Sequence, residues 1–440
     1  MWKEFNNTLK IAGPIIIGNL SQVGLGLIDS AMIGAIDYRQ LAASSLVINV
    51  LAIPQVFGIG ITMAISPLVA MANGRKDIHT ASRVVYNGVL LSTIAACIIA
   101  IGMVLGQRML FHLGQDAEVA FFARDYYVVM AWSLIPMMIY IAVKQFADAL
   151  EFTRTAMILS ILSLPLNAFL NWIFIYGQFG VPRLELYGAG IATLITRILI
   201  AVLLIIIILK HRTFRPYIQV RHQAWKLNKK LWKELLNLGV PSSLQYGMEA
   251  GAFSVSGIMI GWLGATAQAA HQIALNLAST TFMAALGLSL AGSIRVANAF
   301  GRYDKIGLRN IGKSTIAGGL GYGTICALLF ILLQNVLPGF FTNDNNVAMV
   351  ASSLLIYAAL FQISDATQAI GVGLLRGIKD VTMPTIYVAI AYWIIGIPVG
   401  YLLAFHLKLE AAGIWLGFVC GLTISSVLLN ARFLHKTKLQ

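Results

Sequence analysis

LNLGVPSSLQYGMEAGAFSVSGIMIGWL, residues 236–263, is a helix-length run that carries one acid, Glu249, and one proline, Pro241. The run LKIAGPIIIGNLSQVGLGLIDSAMIGAI, residues 9–36, follows the same plan 227 positions earlier, counted between the two prolines (241 − 14 = 227). The same offset pairs Gly34 with Gly261, Ala42-Ala43 with Ala269-Ala270, Asn49 with Asn276, Ser66 with Ser293, and ANGRKD with AFGRYD. A register held without a gap over about seventy residues marks an internal duplication.

The solvent around these runs follows from composition. Hydrophobic residues make up 58% and charged residues 11%, against about 45–50% and about 25% in soluble domains, and the mean hydropathy is +0.80. Runs poor in charge recur at the ~20-residue length that a helix needs to cross ~30 Å of hydrocarbon. They predict about twelve spans, near 9–35, 45–72, 84–106, 121–148, 156–177, 187–210, 236–262, 270–299, 312–335, 346–374, 383–404 and 410–432. No alternation at barrel period is present, so the expected class is an all-α integral membrane protein. The duplication divides it into two six-helix bundles: an N-lobe over 1–210, a basic linker over 211–235 and a C-lobe over 236–440. An even number of spans per copy makes the copies parallel repeats, related by a pseudo-two-fold axis along the membrane normal, an arrangement typical of transporters.

The net charge of +14 reflects membrane orientation rather than nucleic-acid binding. With both termini in the cytosol, Arg75, Lys76, Arg83, Arg154, Arg302, Lys305, Arg309, Lys313, Arg376, Lys379, Arg432, Lys436 and Lys438 fall inside, and only Arg39, Arg108, Arg124, Arg183 and Lys408 outside. That asymmetry obeys the positive-inside rule. The opening MWKEFNNTLKIAGP lacks a small-residue cleavage site and reads as part of a retained first span. In the linker, Trp225 and Trp232 stand seven residues apart among basic residues, a pattern suited to lipid headgroups. Cys97, Cys326 and Cys420 are scattered in apolar runs and imply neither a disulfide framework nor a zinc site.

Three acids sit well inside predicted spans, away from their ends: Asp29, Glu249 and Asp365. A charge at mid-membrane costs about 2.5–3.5 kcal/mol on insertion scales, so such acids should face a cavity, bind a cation or carry a proton. Under the 227 offset Glu249 aligns with Gln22, two helical turns before Asp29, which places the two acids on one face of equivalent helices at different depths. Asn167 and Asn171 share a face at i, i+4, and Thr193 lies in the next span. Their oxygens beside a carboxylate suit Na⁺ and would equally steady a proton-carrying acid. Asp365 has Gln362, Ser364, Thr367 and Gln368 around it. Gln22, Phe57, Met63, Tyr246, Phe282, Met283, Phe361, Tyr392 and Trp393 are candidates to line a substrate cleft, where aromatic faces attract organic cations. His271 is expected to cap or pack, and Arg295 to snorkel or pair with an acid. Hydrolase, zincin and P-loop signatures are missing from the sequence, so an enzyme is not expected and no cofactor is implied.

DSAMIG, LNWIFIYGQFG, AAHQIALN, SIRVANAFG, SDATQAIGVGLLRGIKD and AYWIIGIPVGYLL, in that order from about residue 9 to 432, resemble the multidrug and toxic compound extrusion (MATE) family, NorM branch. The resemblance implies two lobes around a V-shaped cleft in a bacterial cytoplasmic membrane, and export of organic cationic, often aromatic, drugs against inward Na⁺ or H⁺. By position, Asp29, Asn167, Asn171 and Thr193 would form one cation site, and Glu249 and Asp365 the other. A monomer is expected, with membrane lipids as its other contacts. The alternative is a flippase for a lipid-linked precursor, or another polyspecific lipid or metabolite exporter of the same superfamily. The acidic character of the intramembrane charges favours cationic cargo.

Overall fold

The computed structural model describes residues 2–112, 117–219 and 226–438, and every regular element among them is helical. Twelve long helices carry the fold. They are α1 (Trp2–Gly34), α2 (Tyr38–Gly74), α3 (Ile78–Leu105), α4 (Ala117–Ala149), α5 (Thr153–Tyr176), α6 (Glu185–Lys210), α7 (Lys229–Gly261), α8 (Ala265–Gly301), α9 (Lys305–Leu333), α10 (Asn345–Gly377), α11 (Thr382–His406) and α12 (Glu410–Lys436). Among the described residues eleven of these are long and apolar enough to cross a membrane. The exception is α7, whose 33 residues are long enough but are interrupted by Ser242, Ser243, Gln245, Glu249, Ser254 and Ser256.

The duplication extends to helix ends. The helices α1 and α7 both have 33 residues, starting at 2 and 229 and ending at 34 and 261. The pair α2 and α8 starts at 38 and 265 and ends at 74 and 301. The same local device starts α3 and α9: Asp77 accepts from Thr80 N at 2.9 Å, and Asp304 accepts from Gly307 N at 2.8 Å. Such a carboxylate satisfies a donor that the first turn leaves open and contributes about 1 kcal/mol. Each cap follows a residue forced into left-handed backbone, Lys76 and Tyr303, both at φ 59°.

Two helices depart from the uninterrupted spans expected. In α2 the α-helix stops at Thr62 and resumes at Ile65. In α11, wide π-helical turns at Ile390–Gly396 and Leu402–His406 flank the turn containing Pro398. Proline has no N–H to donate and crowds the preceding turn, and a wider turn accommodates both.

Packing divides the chain into two units, Ile17–Ser243 and Met1–Ile16 with Leu244–Gln440. The divisions fall inside α1 and α7, again 227 positions apart (243 − 16 = 227). In the first unit Ser243 Oγ donates to Phe57 O at 2.8 Å, and Gly60 lies so close to the Ser243 backbone that a Cβ has no room. In the second, a Cβ on Gly287 would collide with the Ile16 side chain, while Arg295 donates to Glu4 O at 2.5 Å and Thr8 Oγ1 at 2.8 Å and forms an ion pair with Glu4. Arg295 therefore pairs with an acid instead of snorkelling. Gly60 and Gly287 are repeat equivalents, so Gly60→Val and Gly287→Val are each expected to destabilise by about 1–3 kcal/mol, the usual cost of overpacking. Thermal unfolding in detergent checks this, and an unchanged midpoint in either variant would contradict the crossing.

The start of the linker packs onto the first unit. Phe214 is buried with ring centroids 5.3 Å from Phe146 and 5.2 Å from Phe152, and Tyr217 Oη donates to Asn73 Oδ1 at 2.7 Å. Trp232, expected against headgroups, is half-buried and donates to Asn87 Oδ1 at 2.8 Å. Trp225 lies outside the described residues.

Between α10 and α11, Asp380 accepts from Arg432 Nε at 2.6 Å and pairs with Lys436 Nζ at 2.8 Å. Burial alone would push this carboxyl up, but the two cations hold it below the ordinary carboxylate value. Its stabilisation is therefore complete above about pH 4 and is lost as pH falls through the lower folded value. Asp380→Asn is expected to lower the unfolding midpoint at pH 7, and the gap to wild type should close as the pH is taken well below 4. A gap that persisted at acid pH would assign the effect to packing.

Candidate cation sites

The first site lies within Ile17–Ser243 and is built from three helices. From α1, Asp29 offers both carboxylate oxygens: Oδ1 accepts from Asn171 Nδ2 at 2.7 Å and Oδ2 from Thr193 Oγ1 at 3.1 Å. Asn171 Nδ2 also donates to Asn167 Oδ1 at 3.2 Å, and Asn167 Nδ2 to Thr193 Oγ1 at 3.4 Å. The four side chains thus close a ring of hydrogen bonds, and all are buried. The i, i+4 spacing on α5 puts both amides on the face that meets Asp29. Asn171 Oδ1 is buried with no hydrogen-bond partner among the described residues. An unpaired buried carbonyl next to a carboxylate is a ready ligand for a hard cation.

Sequence reading passed over two neighbours of this ring. Arg197, one turn beyond Thr193 on α6, acts electrostatically on Asp29 and donates to Ser133 Oγ at 2.6 Å. Tyr126 on α4, buried at 2% exposure, also feels the Asp29 charge. The available signal was an arginine in the middle of an apolar span whose other charges lie at its ends, four residues after Thr193.

The second site lies within Leu244–Gln440. Glu249 Oε1 on α7 accepts from Gln368 Nε2 on α10 at 2.9 Å and from Gln245 Nε2 at 3.5 Å. Tyr392 Oη on α11 donates to Gln368 Oε1 at 3.4 Å, which fixes the amide that holds Glu249. Glu249 and Asp365 line one small pocket, with Tyr246, Phe282, Ser289 and Gln368 among its walls. Gly373 on α10 lies against Ser289 with no room for a Cβ, and one at Gly377 would come within 2.8 Å of Ser293 O. Those glycines let α10 approach α8 closely enough to shape the wall. Two carboxylates, two amides and two aromatic rings on one small pocket can hold a cation through charge, oxygen ligands and ring faces.

The other candidates are dispersed. Phe361 is packed among Phe253, Trp415 and Phe418 at centroid distances of 6.1, 5.5 and 6.3 Å. Trp393 donates to Met248 O at 3.2 Å and is 42% exposed. Met63 is buried at the break in α2, where its Sδ accepts from Gln145 Nε2 at 3.3 Å, and Phe57 offers its carbonyl to Ser243. Gln22 is exposed, and Met283 is half-buried near Phe282 on α8. His271 is buried against Trp415 at 5.8 Å, a packing position rather than a cap. Arg376, grouped with the loop cations, is instead 2% exposed in the last turn of α10, its guanidinium 5.8 Å from the Tyr246 ring centre.

A duplicated set of membrane-length helices, with carboxylates buried among amides and hydroxyls inside the spans, defines a multi-pass membrane transporter. The family can be named. The MatE family model matches residues 14–173 and 241–402, two blocks that begin at the paired prolines, and the chain belongs to this family of transporters, which are not enzymes. It is 32% identical over 447 residues to a probable multidrug resistance protein NorM of Mesorhizobium japonicum, covering 100% of this chain and 96% of the relative. Against the multidrug resistance protein NorM of Vibrio cholerae the identity is 32%, covering 98% and 95%. Among solved structures, the eukaryotic MATE transporter AtDTX14 superposes with a TM-score of 0.87 at 21% identity, covering 99% of both chains. An outward-facing multidrug resistance MATE family transporter superposes at 0.90 with 19% identity, covering 99% of this chain and 97% of that one. At these identities the structural likeness establishes the fold.

Proposed function

We propose that this protein is a secondary multidrug exporter of a bacterial cytoplasmic membrane, exchanging Na⁺ or H⁺ for small organic cations by rocker-type alternating access. The observation that carries the reading is the shared pocket of Glu249 and Asp365 beside Tyr246 and Phe282; the names of the NorM relatives support multidrug cargo. An entering cation neutralises a buried carboxylate, and a cationic drug held by the same charge loses affinity. Release of the ion to the cytosol restores the charge and with it drug binding. Asp29 with Asn167, Asn171 and Thr193 forms a second exchange point in the N-lobe. On this reading the N-lobe is 1–210, the linker 211–235 and the C-lobe 236–440, both termini are cytosolic and the protein works as a monomer.

The test is purified protein in liposomes with a pH gradient and a Na⁺ gradient imposed separately while ethidium movement is followed. Uphill ethidium transport driven by either gradient supports antiport and names the ion. Movement only down the ethidium gradient, indifferent to both ions, would mean a passive pathway.

A further inference from the structure

Arg197 is a charge inside a span, beside the first cation site but not part of its ring. It stands four residues after Thr193 on α6, about 6 Å further from the α5–α6 connection, on the face that carries Thr193 to Asp29. The residue is half-buried, and its Nη1 donates to Ser133 Oγ of α4 at 2.6 Å. Ser133 is fully buried and gives its own proton to Met130 O at 2.7 Å, so its lone pairs face the guanidinium. Anchored there, Arg197 acts through space on Asp29. On the same far side of the ring, buried Ser163 and Ser160 follow Asn167 along α5 at one and two turns, and Ser160 Oγ shares a hydrogen bond with Tyr140 Oη at 3.0 Å. The second repeat has neither charge: Asp29 matches Ser256 at the offset of 227, and Arg197 matches Leu422 when both are counted from the helix starts at 185 and 410. The acid and the arginine come as a pair.

We propose that Arg197 is the coupling residue of the N-lobe: an anchored positive charge that seals the cation site on its far side, so that an ion bound at Asp29 goes back the way it came until the transporter changes state. A small cation leaving the ring through the lobe has to pass the guanidinium, and two like charges close together in a poorly hydrated site repel strongly. A fixed arginine excludes cations from narrow pores on the same ground. The column of Ser163, Ser160 and Tyr140 is what makes the seal necessary, since hydroxyls in line offer a proton or Na⁺ a path that an apolar lobe does not. The charge raises the barrier without occupying the site, because Ser133 anchors it to α4. An unsealed ring would let the ion gradient run down with no cargo moved. The inference rests on the proposed ion exchange at Asp29.

The test is the drug-free leak of purified protein in liposomes under an imposed membrane potential, followed with a trapped pH dye for H⁺ and with radioactive Na⁺. Wild type should be nearly as tight as protein-free vesicles. Arg197→Gln should pass H⁺ or Na⁺ about tenfold faster or more, since one poorly screened unit charge nearby is worth at least that factor in rate. Arg197→Lys keeps a cation and should stay tight; a leaky one would assign the seal to the shape of the side chain instead of its charge. Adding Asp29→Asn to Arg197→Gln removes the carboxylate on which the ion rests and should restore a tight membrane. Arg197→Met, which fills similar space with no polar group to bury, takes the place of Arg197→Gln if that variant does not fold. A folded variant that lacks the cation and is as tight as wild type would overturn the proposal. So would a double variant as leaky as the single one, because the leak would then bypass Asp29, and so would a wild type that leaks as fast as Arg197→Gln. Failure of wild type to move ethidium uphill on either gradient would instead overturn the exchange reading itself.

Discussion

Asp29→Asn is expected to reduce drug export to background while the protein still folds. The carboxylate stands in a closed ring with Asn167, Asn171 and Thr193, accepting at 2.7 and 3.1 Å. An amide keeps the size and one acceptor, and burying it costs less than burying a charge. What it cannot do is alternate between a charged and a neutralised state. Ethidium efflux from cells, measured beside the yield of monodisperse protein, checks both halves of the expectation. Efflux at the wild-type rate would make the ring a structural tie between α1, α5 and α6.

Glu249→Gln should weaken binding of a monovalent organic cation about tenfold to a hundredfold, in line with the ~1.5–3 kcal/mol of a contact to a charged group. It should also flatten the dependence of drug affinity on Na⁺ or pH. Linkage requires that an ion and a drug opposing each other through one group lose that opposition together. Asp365→Asn should act likewise, and the double variant should be little worse than either single one, because both acids line one pocket. Equilibrium dye binding across a series of Na⁺ concentrations and pH values provides the readout. A lower unfolding midpoint with an unchanged ion dependence would reduce Glu249 to a link between α7 and α10 through Gln368.

Much of this architecture was legible because a duplication checks itself. The offset read between Pro14 and Pro241 reappears in the ends of α1 and α7, in the capping acids Asp77 and Asp304, and in the strained Lys76 and Tyr303. The ring around Asp29 was legible because i, i+4 amides in an apolar span need a partner, and few buried groups can serve. Arg376 was misplaced because an arginine closing an apolar run looks the same in sequence whether it leaves for water or turns inward; only the close approach of α10 to α8 decides. Phe361 and Trp393 could not be sorted from Tyr246 and Phe282 for a similar reason, since helical periodicity gives a face but not the neighbour it meets. The unit boundaries inside α1 and α7 were invisible, because a continuous helix carries no change of composition where its packing partner changes.

That last feature has a consequence for biogenesis. Residues 229–243 emerge from the ribosome when their partners in α2 have long been made, and can pack at once. Residues 2–16 have no such partner waiting: Glu4 and Arg295 are 291 positions apart in the chain. At about 5–20 residues per second, the opening segment spends roughly 15–60 s before its arginine is synthesised. The two repeats are alike in the finished fold yet unlike in their assembly, and the leading helix must be kept unpaired and uncommitted by the insertion machinery or the lipid until the second helix of the second half has followed.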